Sequence, residues 1–279
     1  MDSVKNLIGT MQGRLLPKYQ GRNQAHPIGY WQKEFLVAKE IGLDCIEFIL
    51  DFSGVEHNPL VRDEGIYEIQ QITNKTGVQV KTICGDYFME KPLHSSDNEV
   101  AEQSLSVLMK LLVSAKQLGV TDIVIPCVDK SSLNNKKDES RFISVIQSIT
   151  NDLENLNINL SLEMDLPPEP FRKLLDKFQS KNITVNYDIG NSASLGFDSV
   201  IELDSYGDRI SDIHIKDRTL GGGPVILGEG AANFDLFFDK LREFDYSGPF
   251  IMQAYRDNEG VSVFKKQLDW VSRYLVQKI

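Results

Sequence analysis

Residues 158–188, INLSLEMDLPPEPFRKLLDKFQSKNITVNYD, decide the fold. INLSLE (158–163) is a short apolar run, the segment 168–180 reads as a helix, and ITVNYD (183–188) is a second short run. Two strands joined by a helix in so short a stretch are a parallel α/β unit. Both runs end in an acid, Glu163 and Asp188. The same grammar extends in both directions. Upstream, strands are expected at 5–11, 44–50, 78–84 and 122–127, with helices near 31–42, 62–76, 97–118 and 138–156. Downstream, strands at 210–215 and 249–253 alternate with helices near 197–206, 233–243 and 260–277. The 97–118 helix is the clearest: Leu105, Leu108, Leu112, Ala115 and Leu118 recur at helical spacing, Asp97 is placed to cap its start and Gly119 its end. EIGLDCIEFI, KTGVQVKTI and QLGVTDIVI each pass from a helix through Gly into a strand, the αβ loop of a parallel sheet.

Eight strands alternating with eight helices, without linker or low-complexity tract, predict one (β/α)₈ TIM barrel spanning 1–279. The chain has 279 residues, and such a barrel needs roughly 250. A doubly wound sheet is the alternative, but no GxGxxG follows an early strand.

Composition excludes some partners. Charge is −10 at pH 7, and the most basic segment, 130–141, also contains acids, so a nucleic-acid backbone is disfavoured. No stretch approaches the ~18 apolar residues of a membrane span, and no leader pattern opens the chain, so cytoplasm is the expectation. Cys45, Cys84 and Cys127 lie in strand-like runs without a CxxC motif, as expected for buried thiols in a reducing compartment.

In a TIM barrel the active site lies at the carboxyl ends of the strands. Glu163, Asp188, His214 and Gln253 end four consecutive predicted strands and should meet at one mouth. Two carboxylates, an imidazole and an amide oxygen suit one divalent metal. His214 would ligate through one ring nitrogen, its other nitrogen needing a partner such as Asp212 or Asp217.

SLEMD, NYDIGNSASLG, SDIHIKDRTLGGGPVILGEGAANF and GPFIMQAYRD resemble the xylose isomerase-like TIM-barrel family of sugar isomerases and epimerases, which also includes endonuclease IV. MQGRL and CIEFILDF resemble its sugar-phosphate branch. The resemblance implies one Mn²⁺, Mg²⁺, Co²⁺ or Zn²⁺ held by Glu163, Asp188, His214 and position 253. It also implies Glu163 as the catalytic base, and a homodimer or homotetramer. Gln253 departs from it, since the family usually has Glu there. Gln can ligate but cannot serve as a base, so two-base epimerisation loses one of its carboxylates. A one-base route through an enediol, with Glu163 moving the proton, remains.

Substrate contacts are expected from the loops on the same face, the long ones being 12–30 and 216–232. Arg14, Lys216, Arg218 and Arg256 offer positive charge to a sugar phosphate, and Gly221–Gly223 with Gly228–Gly230 offer a phosphate cradle. Glu47 ends strand two, Asp86 follows strand three, and Asn191 stands where relatives often place a substrate-touching His. His26, His57 and His94 read as solvated loop residues. Competing readings are an inosose-type dehydratase, a non-catalytic sugar-binding relative and, least of all, a three-metal repair nuclease, for which four histidines are too few.

Overall fold

A computed structural model describes residues 6–275. Eight parallel strands close into a barrel: β1 (Ile8–Met11), β2 (Cys45–Ile49), β3 (Gln79–Cys84), β4 (Asp122–Cys127), β5 (Asn159–Met164), β6 (Ile183–Asp188), β7 (Ile210–Ile215) and, last in the chain, β10 (Phe250–Met252). Each pairs with its neighbours in sequence, and β10 closes onto β1. The expected (β/α)₈ barrel is what the chain forms. Between β7 and β10 a small antiparallel ribbon, β8 (Asp217–Arg218) with β9 (Pro224–Val225), occupies the loop expected at 216–232.

The strands fall within three residues of their expected positions. Lys5, the expected first residue of strand one, lies outside the described residues, as do positions 276–277 of the last helix, described as Val261–Leu275. Three helices differ from expectation. The 138–156 segment is two helices, Lys136–Ser148 and Thr150–Leu156, broken at Ile149. The 168–180 helix stops at Leu175. The 197–206 helix is Ser199–Tyr206, preceded by a separate short helix, Ile189–Leu195.

Packing follows the pattern of apolar residues. The main core lies between strands and helices and includes Phe35, Phe48, Leu108, Leu112, Phe142, Leu160, Phe171 and Phe237, all buried. Asp97 accepts hydrogen bonds from the Glu99 and Val100 amides at the start of Asn98–Leu118, and Gly119 ends that helix in the left-handed conformation. Trp31 packs edge-on against Phe35 and Phe48. Met11, Cys45, Ile49, Cys84 and Ile251 form a separate small cluster. All three cysteines are buried and free. Among the described residues no helix is long and apolar enough to cross a membrane.

Two register shifts bear on function. The β2–β3 ladder slips between Ile46 and Glu47, and the β6–β7 ladder slips between Val185 and Asn186. Such bulges re-aim the side chains that follow them. Here those are Glu47 on β2, and Asn186 and Asp188 on β6.

Candidate active site

Asp188 and His214 are direct partners across β6 and β7, so their side chains share one face of the sheet. With Glu163 they form a buried cluster whose three ligand atoms lie within 4.8 Å of one another. Asp188 is fixed by its own helix: its Oδ1 accepts the Asn191 amide at 2.8 Å, capping Ile189–Leu195, and its Oδ2 faces Lys216 Nζ at 3.1 Å.

Glu163 is held by Asn191, whose Nδ2 donates to Oε1 at 2.6 Å. Burial, reinforced by the negative charge of Asp188, pushes the Glu163 carboxyl up to about 7. Asn191 Oδ1 in turn accepts from Lys216 Nζ at 3.0 Å and Arg218 Nη1 at 2.8 Å. Its helix is pinned from behind, where Ser192 and the hydroxyls of Tyr187 and Tyr206 all donate to buried Glu202. Asn191 therefore ties Glu163 to the cationic rim.

His214 is oriented by Glu47, not by Asp212 or Asp217. Its Nε2 lies 2.8 Å from Glu47 Oε1, while Thr82 Oγ1 donates to Glu47 Oε2 at 2.6 Å. Burial opposes protonation of His214, but the adjacent Glu47 carboxylate outweighs it and raises the imidazole above its ordinary value. With Nε2–H facing Glu47, Nδ1 lies 4.0 Å from Asp188 Oδ2 and 3.2 Å from Asn186 Nδ2. Glu47, expected to touch substrate, has both oxygens occupied within the barrel. Asp212, fully buried beside Glu47, is pushed well up by burial and by that neighbouring carboxylate. Asp217 is spent elsewhere: it accepts the amides of Gly228 and Gly230 at 2.9 Å and of Ala232 at 3.1 Å. The GEG half of the expected phosphate cradle thus already serves a carboxylate of its own chain.

Gln253 is buried just past β10, tied by its amide hydrogen to Ile215 O at 3.0 Å. Its Nε2 donates to Gln24 Oε1 at 2.9 Å, and its Oε1 has no partner. A buried acceptor without a donor is costly unless something positive meets it. Two carboxylates, an imidazole Nδ1 and this orphaned oxygen fit a divalent cation.

Of the expected substrate contacts, Asn191, Lys216 and Arg218 gather beside the cluster. Asp86 accepts from Gln24 and from the Cys84 thiol. Arg14 is buried, donating to Asn23 O and Gln24 Oε1 with Nε unpartnered. Burial and the charge of Arg256 bring its guanidinium down to about 10. Arg256 departs from expectation: its two terminal nitrogens are satisfied by the carbonyls of Gly13 and Leu16, so it clamps the loop after β1. His26 also departs from expectation, being buried with Nδ1 3.0 Å from Gln12 Oε1, and burial lowers it to about 4. His94 is buried too. Gln24 and Thr82 were not legible in the sequence: Gln24 sits in a loop without periodicity, and Thr82 is one of several ordinary strand residues.

A model of the family described as xylose isomerase-like TIM barrel matches residues 35–274. L-ribulose-5-phosphate 3-epimerase UlaE of Salmonella heidelberg (strain SL476) is 26% identical over 253 residues, covering 86% of this chain and 88% of that protein. UlaE of Escherichia coli O1:K1 / APEC is 25% identical over 252 residues, with the same coverage. Among solved structures, an L-ribulose 3-epimerase superposes with a TM-score of 0.76 at 15% identity, covering 97% of this chain and 94% of that one. An IOLI protein with a bound zinc atom gives 0.75 at 16% identity, covering 96% and 99%. The similar proteins that carry an activity in their names are chiefly epimerases, and epimerases are isomerases.

Proposed function

The chain belongs to the xylose isomerase-like TIM-barrel family, and on that premise we propose that it is a divalent-metal-dependent isomerase of the epimerase type. In this reading it enolises a phosphorylated ketose with Glu163 as the base. The observation that carries the proposal is the Glu163 carboxyl: buried, held by Asn191 and set beside Asp188 and His214 in one cluster at the strand ends.

Glu163, Asp188, His214 Nδ1 and Gln253 Oε1 would hold the cation, which when bound polarises a substrate carbonyl and stabilises the negative charge that develops beside it. Glu163 takes the proton from the carbon next to that carbonyl. Asn191 holds Oε1 of Glu163 in place. Lys216 and Arg218 offer hydrogen bonds and positive charge to substrate oxygens at the rim. Support for a phosphorylated substrate comes from these cations and from the curated relatives, named for L-ribulose 5-phosphate.

Two products are distinguished by position 253. The relatives' named activity favours 3-epimerisation, which returns the proton to the opposite face. Gln253 has no proton to return, which favours Glu163 delivering it to the neighbouring carbon, a 1,2-isomerisation.

The test is proton–deuterium exchange by NMR. Protein with Mn²⁺ is incubated in D₂O with L-ribulose 5-phosphate and with unphosphorylated L-ribulose, alongside a Glu163→Gln control. Deuterium should enter one carbon, only with metal, faster for the phosphate ester, and about 10²–10⁴-fold more slowly in the control. The labelled carbon and the product separate epimer from 1,2-isomer. Metal-bound protein that exchanges no deuterium into any ketose or ketose phosphate would overturn the reading.

A further inference from the structure

The loop after β1 reaches the site through a chain of amides that can be oriented in one way only. Gln24 Nε2 donates to both oxygens of Asp86, at 3.0 and 2.9 Å. Gln24 Oε1 therefore faces the other way, accepting from Arg14 Nη2 at 3.1 Å and from Gln253 Nε2 at 2.9 Å. Arginine has donors alone, so Arg14 by itself forces the oxygen of Gln24 toward it. Flipping Gln24 would set nitrogen against the Arg14 guanidinium. Flipping Gln253 would set two carbonyl oxygens against each other. The consequence is the orphaned, buried Oε1 of Gln253.

We propose that Gln24 is a positioning residue that presents the Gln253 amide oxygen to the cation, so that a loop residue completes the fourth ligand. This rests on the metal-site reading above. A neutral amide is a weaker ligand than a carboxylate and has two chemically different ends. Tying down its nitrogen makes it directional before any ion arrives. The same tie makes the two positions a matched pair, because a carboxylate at 253 would put acceptor against acceptor at Gln24 Oε1. The chain thus carries, in the β1 loop, the counterpart of its own departure from Glu at 253.

The test titrates metal-free protein with MnCl₂ by calorimetry, in wild type, Gln24→Met, Gln253→Glu and the double variant. Gln24→Met keeps side-chain length and removes the tie. It should weaken Mn²⁺ binding about tenfold in the wild-type background. In the Gln253→Glu background the same change should leave binding unchanged or tighter, because it removes a clash. A merely structural role would give the same factor in both backgrounds. If Gln24→Met does not fold, the pair Gln24→Glu with Asp86→Asn tests the same point. It keeps an acceptor facing Gln253 and Arg14 and moves the donor to position 86, and it should bind within about threefold of wild type. An effect under twofold, an equal effect in both backgrounds, or a rescue pair that binds tenfold weaker overturns the inference. Wild-type protein that takes no Mn²⁺ overturns the metal reading as well, so the two failures are distinct.

Discussion

His214 Nε2 lies 2.8 Å from Glu47 Oε1 with both side chains fully buried, although 167 residues separate them in the chain. Glu47 accepts from Nε2, which leaves Nδ1 on the side of Asp188 and of Asn186 Nδ2. Glu47→Gln keeps the shape and an acceptor but removes the charge that raises the His214 imidazole above its ordinary value. Mn²⁺ affinity should fall about 10–100-fold with an unchanged circular dichroism spectrum. Equal affinity in calorimetric titration would remove Glu47 from the site's machinery.

Metal binding should depend on pH through Glu163 and through His214, whose imidazole is also raised and must lose its proton to ligate. The folded-state carboxyl of Glu163 is lifted to about 7, so the folded metal-free protein prefers the neutral acid. That preference reduces stability progressively as pH rises from the ordinary carboxyl range to about 7, and a cation that needs the ionised form reverses the loss. The melting-temperature gain from a fixed Mn²⁺ concentration should be small near about pH 5, grow through about 7 and level off near about 8. Glu34, also buried and lifted to about 7, titrates alike with and without metal and cancels in the difference. A gain that is flat across this range would show that neither Glu163 nor His214 binds the ion.

Asp217 organises the glycine-rich loop by accepting from Gly228, Gly230 and Ala232. Asp217→Ala removes the acceptor of four amides, those of Arg218, Gly228, Gly230 and Ala232, in a partly buried loop. Unfolding free energy should drop by about 3 kcal/mol, read as a lower urea midpoint at unchanged slope. A midpoint within error of wild type would mean that water satisfies those amides equally well.

Arg256 fastens the β1 loop through the carbonyls of Gly13 and Leu16, the second at 2.6 Å. Arg256→Met should cost about 2 kcal/mol and open loop 12–30 to limited proteolysis at moderate protease levels. A variant as stable and as protease-resistant as wild type would show the clamp to be dispensable.

Much of the candidate site was legible because strand ends are legible. Glu163, Asp188 and His214 close apolar runs of the right length, and a parallel barrel brings such ends to one rim. Their outer partners were not. Glu47 was visible as a strand-end acid, but whether it faced substrate or His214 depended on the slip in the β2–β3 register, which no local pattern records. Asp212 and Asp217 looked nearer to His214 in sequence, yet one lies beneath the site and the other binds the glycine loop. His26 and His94 were misplaced for a similar reason: a titratable loop residue reads as solvated until the loop is seen folded against the barrel, and Arg256, expected to meet an anion, meets carbonyls of the β1 loop instead.

The sequence by itself determined the barrel, the face that carries the site, the three metal-ligating candidates that cluster there and the amide at 253. These follow from period, strand length and residue chemistry, which are local or repeated at fixed spacing. Only the tertiary structure decided that Nε2 of His214 faces Glu47, that Asn191 steadies Glu163, and that Gln24 ties down the amide nitrogen of Gln253. Those depend on hydrogen bonds between residues far apart in the chain. Their direction is set by donors and acceptors that meet only once the barrel has closed and its first loop has folded over the mouth.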